Sequence, residues 1–136
     1  MQKTILIIVL TLSLFACNNE SGYQKGEDAQ DAGTEFIRAS LDGNYKKALF
    51  YLYKDSTDTN VMLLNKWENN YTHLKEEEKT GYKDANIIAI RIDQLNDSTV
   101  NYIYTNSYNL KDTTTIKVIR IKNEWLVDLK YSITHN

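Results

Sequence analysis

Between Asn86 and Tyr131 apolar and polar side chains alternate with a period of two, in four runs parted by short turn clusters. In Ile87–Leu95, Ile88, Ile90 and Ile92 share one parity and Arg91 and Asp93 the other. Thr99–Tyr108 puts Val100, Tyr102, Tyr104 and Tyr108 on one face and Asn101, Thr105 and Ser107 on the opposite one. Thr113–Lys122 is rich in Thr, Ile and Val, and in Trp125–Tyr131 the residues Trp125, Val127, Leu129 and Tyr131 alternate with Asp128 and Lys130. Asn96–Ser98, Asn109–Asp112 and Asn123-Glu124 separate the runs. Alternation bounded by Asn/Asp turns predicts consecutive antiparallel hairpins with one buried face.

Upstream the period changes to that of a helix. Asp28–Leu41 carries Ala29, Ala32, Gly33, Phe36, Ile37, Ser40 and Leu41 at the spacing of one amphipathic face. Asp42-Gly43-Asn44 predicts a stop in which Gly43 adopts a left-handed conformation and Asn44 caps the next helix, Tyr45–Tyr53. A third and longer helix is expected from about Asn60, with Val61, Leu64, Trp67 or Glu68, Tyr71 and Leu74 along its stripe. The charge run Lys75–Lys79 is expected to end it, with Gly81 as a further stop. Three helices followed by about four antiparallel strands predict an α+β domain, residues 28–136, with the helices on one face of the sheet.

The first residues follow neither pattern. Met1–Ala16 has an early positive charge, Lys3, and an apolar run, Ile5–Phe15, that is too short to span a bilayer. The run ends in Leu14-Phe15-Ala16-Cys17, which resembles the lipobox of bacterial lipoproteins, with Phe15 where a small or aliphatic residue is more usual. That resemblance implies cleavage after residue 16 and acylation of Cys17, the one cysteine of the chain. It also implies a protein held to the membrane of the bacterial cell envelope, the outer membrane foremost, through lipid alone; two or more acyl chains anchor stably where one does not. The polar stretch 17–27 is expected to be a lipidated tether.

Composition narrows the classes further. At 136 residues, 42% hydrophobic and 25% charged, the chain suits one globular domain. A net charge of −2 supplies no basic surface for nucleic acid. The single cysteine excludes an internal disulfide framework.

Phe36-Ile37-Arg38-Ala39-Ser40-Leu41-Asp42-Gly43-Asn44-Tyr45-Lys46-Lys47-Ala48 resembles the opening helix–turn–helix of the nuclear-transport-factor-two-like superfamily, and Asn123-Glu124-Trp125-Leu126-Val127-Asp128-Leu129 resembles its closing strand. The similarity is greatest to small bacterial secreted and lipoprotein members without an assigned function. It implies a strongly curved, cone-like sheet around a long helix. Enzymes of that superfamily, of isomerase, dehydratase or cyclase type, use a carboxylate base or a His–Asp pair inside the cone.

By parity no acid meets that requirement. Asp93 and Asp128 are out of phase with the apolar face and are expected outside; Asp97, Asp112 and Glu124 fall in turns. His73 and His135 pair with no evident acid, and two distant histidines give no zinc spacing. No phosphate loop or nucleophile elbow is present, so neither metal nor cofactor is expected. What remains is aromatic: ten tyrosines and two tryptophans. Trp67 and Tyr71 of the long helix are expected to face Tyr102, Tyr104, Asn106 and Trp125 of the sheet. Such a wall either fills the core or borders a slot for an apolar or planar ligand. The expectation is a non-enzymatic ligand-binding or protein-interaction module, with an anchored acid–base enzyme and an accessory subunit of an envelope complex as the alternatives.

Overall fold

A computed structural model describes residues 22–135. The expected leader 1–16 and the expected acylation site Cys17 lie outside the described residues. Four helices, α1 (Ala29–Leu41), α2 (Tyr45–Phe50), α3 (Thr59–Thr72) and α4 (Glu76–Asp84), precede four strands, β1 (Ile87–Asn96), β2 (Thr99–Asn106), β3 (Thr113–Ile121) and β4 (Glu124–His135). The strands form one antiparallel sheet in the order β1-β2-β3-β4, so the architecture is α+β with helices packed on a meander.

The α1 stripe does what its spacing predicts. Asp28 caps the helix by accepting the Asp31 N–H at 2.8 Å, and Ala32, Phe36 and Ile37 are fully buried. They cover the sheet face built from Val100, Tyr102 and Tyr104 of β2, Ile116 and Val118 of β3, and Val127 and Leu129 of β4. A Cβ on Gly33 would stand 2.9 Å from the Tyr102 ring, so the missing side chain sets how closely α1 approaches β2. At the far end Gly43 takes φ +72°, Asn44 N–H reaches the Ala39 carbonyl at 2.8 Å, and the Asn44 side chain caps Lys47 at 3.1 Å. A buried apolar cluster thus occupies the space between α1 and the sheet.

Several elements depart from the sequence pattern, each for a local reason. Helix α2 stops at Phe50, not Tyr53, because the next residues pair with the free edge of β4: Val127 N–H donates to Tyr51 and Tyr53 N–H donates to Val127, both at 2.8 Å. The run Lys75–Lys79 does not close α3; it opens α4, placing Glu76, Glu77 and Glu78 in the first turn, where the helix dipole favours acids. Gly81 is interior to α4, and its missing Cβ admits the Tyr108 ring, which would otherwise lie 2.3 Å away. Arg38 of α1 fastens the end of this helix by donating to the carbonyls of Tyr82, Lys83 and Ala85 at 3.1, 3.0 and 2.6 Å.

The parity of β1 is also corrected. A bulge between Ala89 and Arg91 shifts the register against β2, so Ile88 lies opposite Thr105 while Ile92 lies opposite Tyr102. Directly paired residues share a face, and the expected Ile88-Ile90-Ile92 stripe is thus divided between both faces; all three side chains are exposed. Tyr108, expected inward, follows the end of β2 and is half-exposed against Tyr82 at 4.9 Å. Tyr131, likewise expected inward, is exposed, with the Lys117 ammonium 3.9 Å from its ring.

Asp128, expected outside, is buried. Between Asp128 and Ile133 β4 leaves simple register with β3, and there Asn60 of α3 donates to the Asp128 carboxylate at 3.0 Å. The fully buried Asn60 also donates to the Tyr53 carbonyl at 2.9 Å and accepts the Lys130 N–H at 3.0 Å. Beside it, bonds from the Thr57 hydroxyl and the Asn60 N–H, together with the Lys130 charge, hold the Asp55 carboxyl well below the usual range. Of the expected tether, residues 22–27 are described. They lie along the domain: the Tyr51 hydroxyl donates to the Gln24 carbonyl at 2.6 Å, Lys25 pairs with Glu124, and the Tyr23 ring lies 5.7 Å from Phe50.

Candidate functional site

Space opens to one side of the filled core, where α1, α3 and α4 diverge. A cleft of about 310 Å³ is bounded by Ile37, Ser40 and Leu41 of α1, Tyr45 of α2, Trp67, Asn70 and Tyr71 of α3, the following Leu74, Tyr82 of α4, and Tyr104 of the sheet. Each wall has its own cause. The α3 stripe turns Trp67 inward, 5.9 Å from the Phe36 ring. The Gly43 turn lets the Tyr71 ring lie against bare backbone and brings Tyr45 to 5.9 Å from it, edge to face. Tyr104 reaches the cleft from β2 beside Tyr102, at 6.1 Å.

The structure thus brings Trp67, Tyr71 and Tyr104 to one cavity and places the other three sequence candidates elsewhere. Tyr102 is core, its hydroxyl 3.1 Å from that of Thr34. Asn106 is buried as a turn residue, its side-chain oxygen accepting the N–H groups of Tyr108 and Asn109 at 3.1 and 3.0 Å. Trp125 is half-buried near the opposite end of the sheet, with the Arg120 guanidinium 5.8 Å from its ring. Sequence reasoning missed Tyr45 and Tyr82. Tyr45 directly follows the Gly43-Asn44 turn, which was a usable signal; Tyr82 sits on a helix with no apolar stripe, which was not.

The electrostatics of the cleft are those of buried phenols. Burial pushes the Tyr45 hydroxyl far above its ordinary pKa, aided by neighbouring Tyr71, Glu68 and Tyr104. Burial does the same to Tyr104, opposed in part by its hydrogen bond with Thr114. Both stay protonated at any physiological pH, so they can donate hydrogen bonds but do not accept protons. No carboxylate or imidazole stands on the wall. His73 is exposed, its Nδ1 2.7 Å from the Asn69 carbonyl. Among the described residues no group of three His, Cys, Asp or Glu side chains is placed to hold a metal ion, and no helix is long and apolar enough to cross a membrane.

No family model matches the chain, nor does any curated protein. Among solved structures, an NTF-2 like protein of unknown function from Shewanella oneidensis MR-1 is similar over 71% of this chain and 88% of its own, with 10% identity and a TM-score of 0.49. A cystatin-like protein from Ruminococcus gnavus ATCC 29149 is similar over 83% of this chain and 41% of its own, with 18% identity and a TM-score of 0.44.

Proposed function

We propose that the protein is a small-ligand-binding module whose guest is apolar and at least partly planar and carries a hydrogen-bond acceptor. The observation that carries this reading is the cleft of about 310 Å³ walled by one tryptophan and four tyrosines. That volume stands at the lower end of the range that admits a small organic molecule. Aromatic faces supply stacking area at little conformational cost, while the phenols and the Asn70 amide supply direction. An acid–base enzyme would need a group titrating near neutrality against the substrate, and the perturbed phenols of this wall move away from neutrality. The module is held at the bacterial cell envelope by lipid on Cys17, after removal of residues 1–16; the placement of the only cysteine directly behind Leu14-Phe15-Ala16 supports this.

Trp67 borders the cleft and Trp125 does not, so a Trp125→Phe protein reports occupancy through Trp67 emission alone. Apolar and aromatic metabolites titrated against that emission are expected to give a saturable change, weakened at least about tenfold by Tyr71→Ala. If no compound shifts the emission, or Tyr71→Ala leaves every hit unaltered, the binding reading fails. Detergent phase partitioning of the wild type and of Cys17→Ser tests the anchor separately, a variant that still follows the detergent counting against it.

A further inference from the structure

We infer that β1 is a dimerisation edge, joining a second copy of this chain into one continuous eight-stranded antiparallel sheet centred on Ile92. Strand β1 lies at the end of the sheet order, and its outer edge pairs with no described strand. An edge of this kind presents unpaired N–H and C=O groups, and proteins that remain monomeric blunt it with proline, short length, cover, bulges or charged side chains. β1 carries bulges and the charges Arg91 and Asp93, and those charges are complementary to their own copy. β1 has ten residues, the chain has no proline, and Ile88, Ile90, Ile92 and Leu95 are 39, 54, 36 and 54% exposed. Two bulges bend the strand against β2, but from Arg91 to Gln94 the pairing is regular.

The charges in this regular stretch select both the partner and the register. Antiparallel pairing of a strand with its own copy must centre on a residue, since otherwise inward and outward backbone groups would oppose one another. Centring on Arg91 sets two guanidinium groups face to face, and centring on Asp93 does the same with two carboxylates. Like charges directly opposite are unfavourable. Centring on Ile92 sets each Arg91 across from the partner's Asp93, on the same face, and each Ile92 across from its own image. Arg91 and Asp93 already project together, 2.7 Å apart with side chains 67 and 34% exposed, so the two copies need only exchange or share ion pairs. The strand is thereby complementary to itself in one register and repulsive in the two adjacent ones.

Sedimentation equilibrium on the full chain, in detergent where the N-terminus is acylated, tests this. The wild type is expected to dimerise reversibly. Arg91→Asp and Asp93→Arg should each weaken dimerisation by about tenfold or more, because two attractive contacts become repulsive. The equimolar mixture of the two variants should regain it, as two carboxylates on one chain meet two guanidinium groups on the other. Loss of the pair within one chain cannot produce that rescue, and neither can misfolding. A wild type still monomeric at about 1 mM, single variants that dimerise normally, or a mixture no tighter than its components would each overturn the proposal.

Discussion

Replacing Asn60 by alanine tests how the helical layer is joined to the last strand. Asn60 is fully buried, and its side chain makes three hydrogen bonds: to the Asp128 carboxylate at 3.0 Å, to the Tyr53 carbonyl at 2.9 Å and from the Lys130 N–H at 3.0 Å. The bond to the charged carboxylate contributes about 1.5–3 kcal/mol and the two neutral ones about 1 kcal/mol each. Two corrections act in the other direction. Lys130 N–H keeps a weaker bond to Asp128 at 3.3 Å, and alanine is the better helix former by about 0.5 kcal/mol. The expected loss is about 3–4 kcal/mol. In urea, with a slope of about 2 kcal/mol per molar, the midpoint should fall by about 2 M at unchanged slope. A double cycle with Asp128→Ala should give a coupling of about 1.5–3 kcal/mol. A loss under about 1 kcal/mol, or no coupling, would refute the claim that this polar contact holds α3 to β4.

Alkaline titration and a glycine substitution probe the cleft itself. Tyr45 and Tyr104 have folded-state pKa values raised above the unfolded value of about 10, so the folded chain retains protons that the unfolded chain loses. From neutrality to about pH 10 these two phenols leave stability unchanged, and above it stability should decline, less steeply in Tyr104→Phe; a titration in which every phenol ionises near pH 10 with the fold intact would contradict this. Gly43→Ala should cost about 1–3 kcal/mol, because φ is +72° there and the new Cβ would meet the Tyr71 ring at 2.4 Å. A thermal midpoint equal to or above the wild type's would show that the turn is free to relax.

The parts of the fold that were legible in sequence are those set by neighbours in the chain. The Gly43-Asn44 stop, the α1 stripe and the inward face Val100-Tyr102-Tyr104 each depend on residues within a few positions of one another. What could not be read depends on insertions and distant partners. One extra residue at Ile90 reverses parity in half of β1, and nothing in Ile-Ile-Ala-Ile-Arg-Ile marks where it goes. Asp128 looked external because alternation puts it out of phase, yet Asn60, far away in sequence, claims its carboxylate. Helix α4 buries no residue, so hydrophobic periodicity had nothing to report, and Tyr82 was lost with it. The cleft combines tyrosines from α2, α3, α4 and β2, and only three dimensions associate Tyr45 with Tyr104.

That absence of buried side chains in α4 has a thermodynamic consequence. A helix without a share of the core is kept in place by what lies at its surface, here the three carbonyls gripped by Arg38 and the contact of Tyr82 with Tyr108. Segments of this kind open in equilibria of their own, at free energies far below that of global unfolding, and their amides exchange with solvent accordingly. The wall of the cleft that carries Tyr82 is therefore the part of the molecule that can come away while the sheet and α1 stay folded. A guest touching Tyr82 would close that local equilibrium by mass action, so part of its binding free energy would appear as slowed exchange in α4 and not as tighter binding.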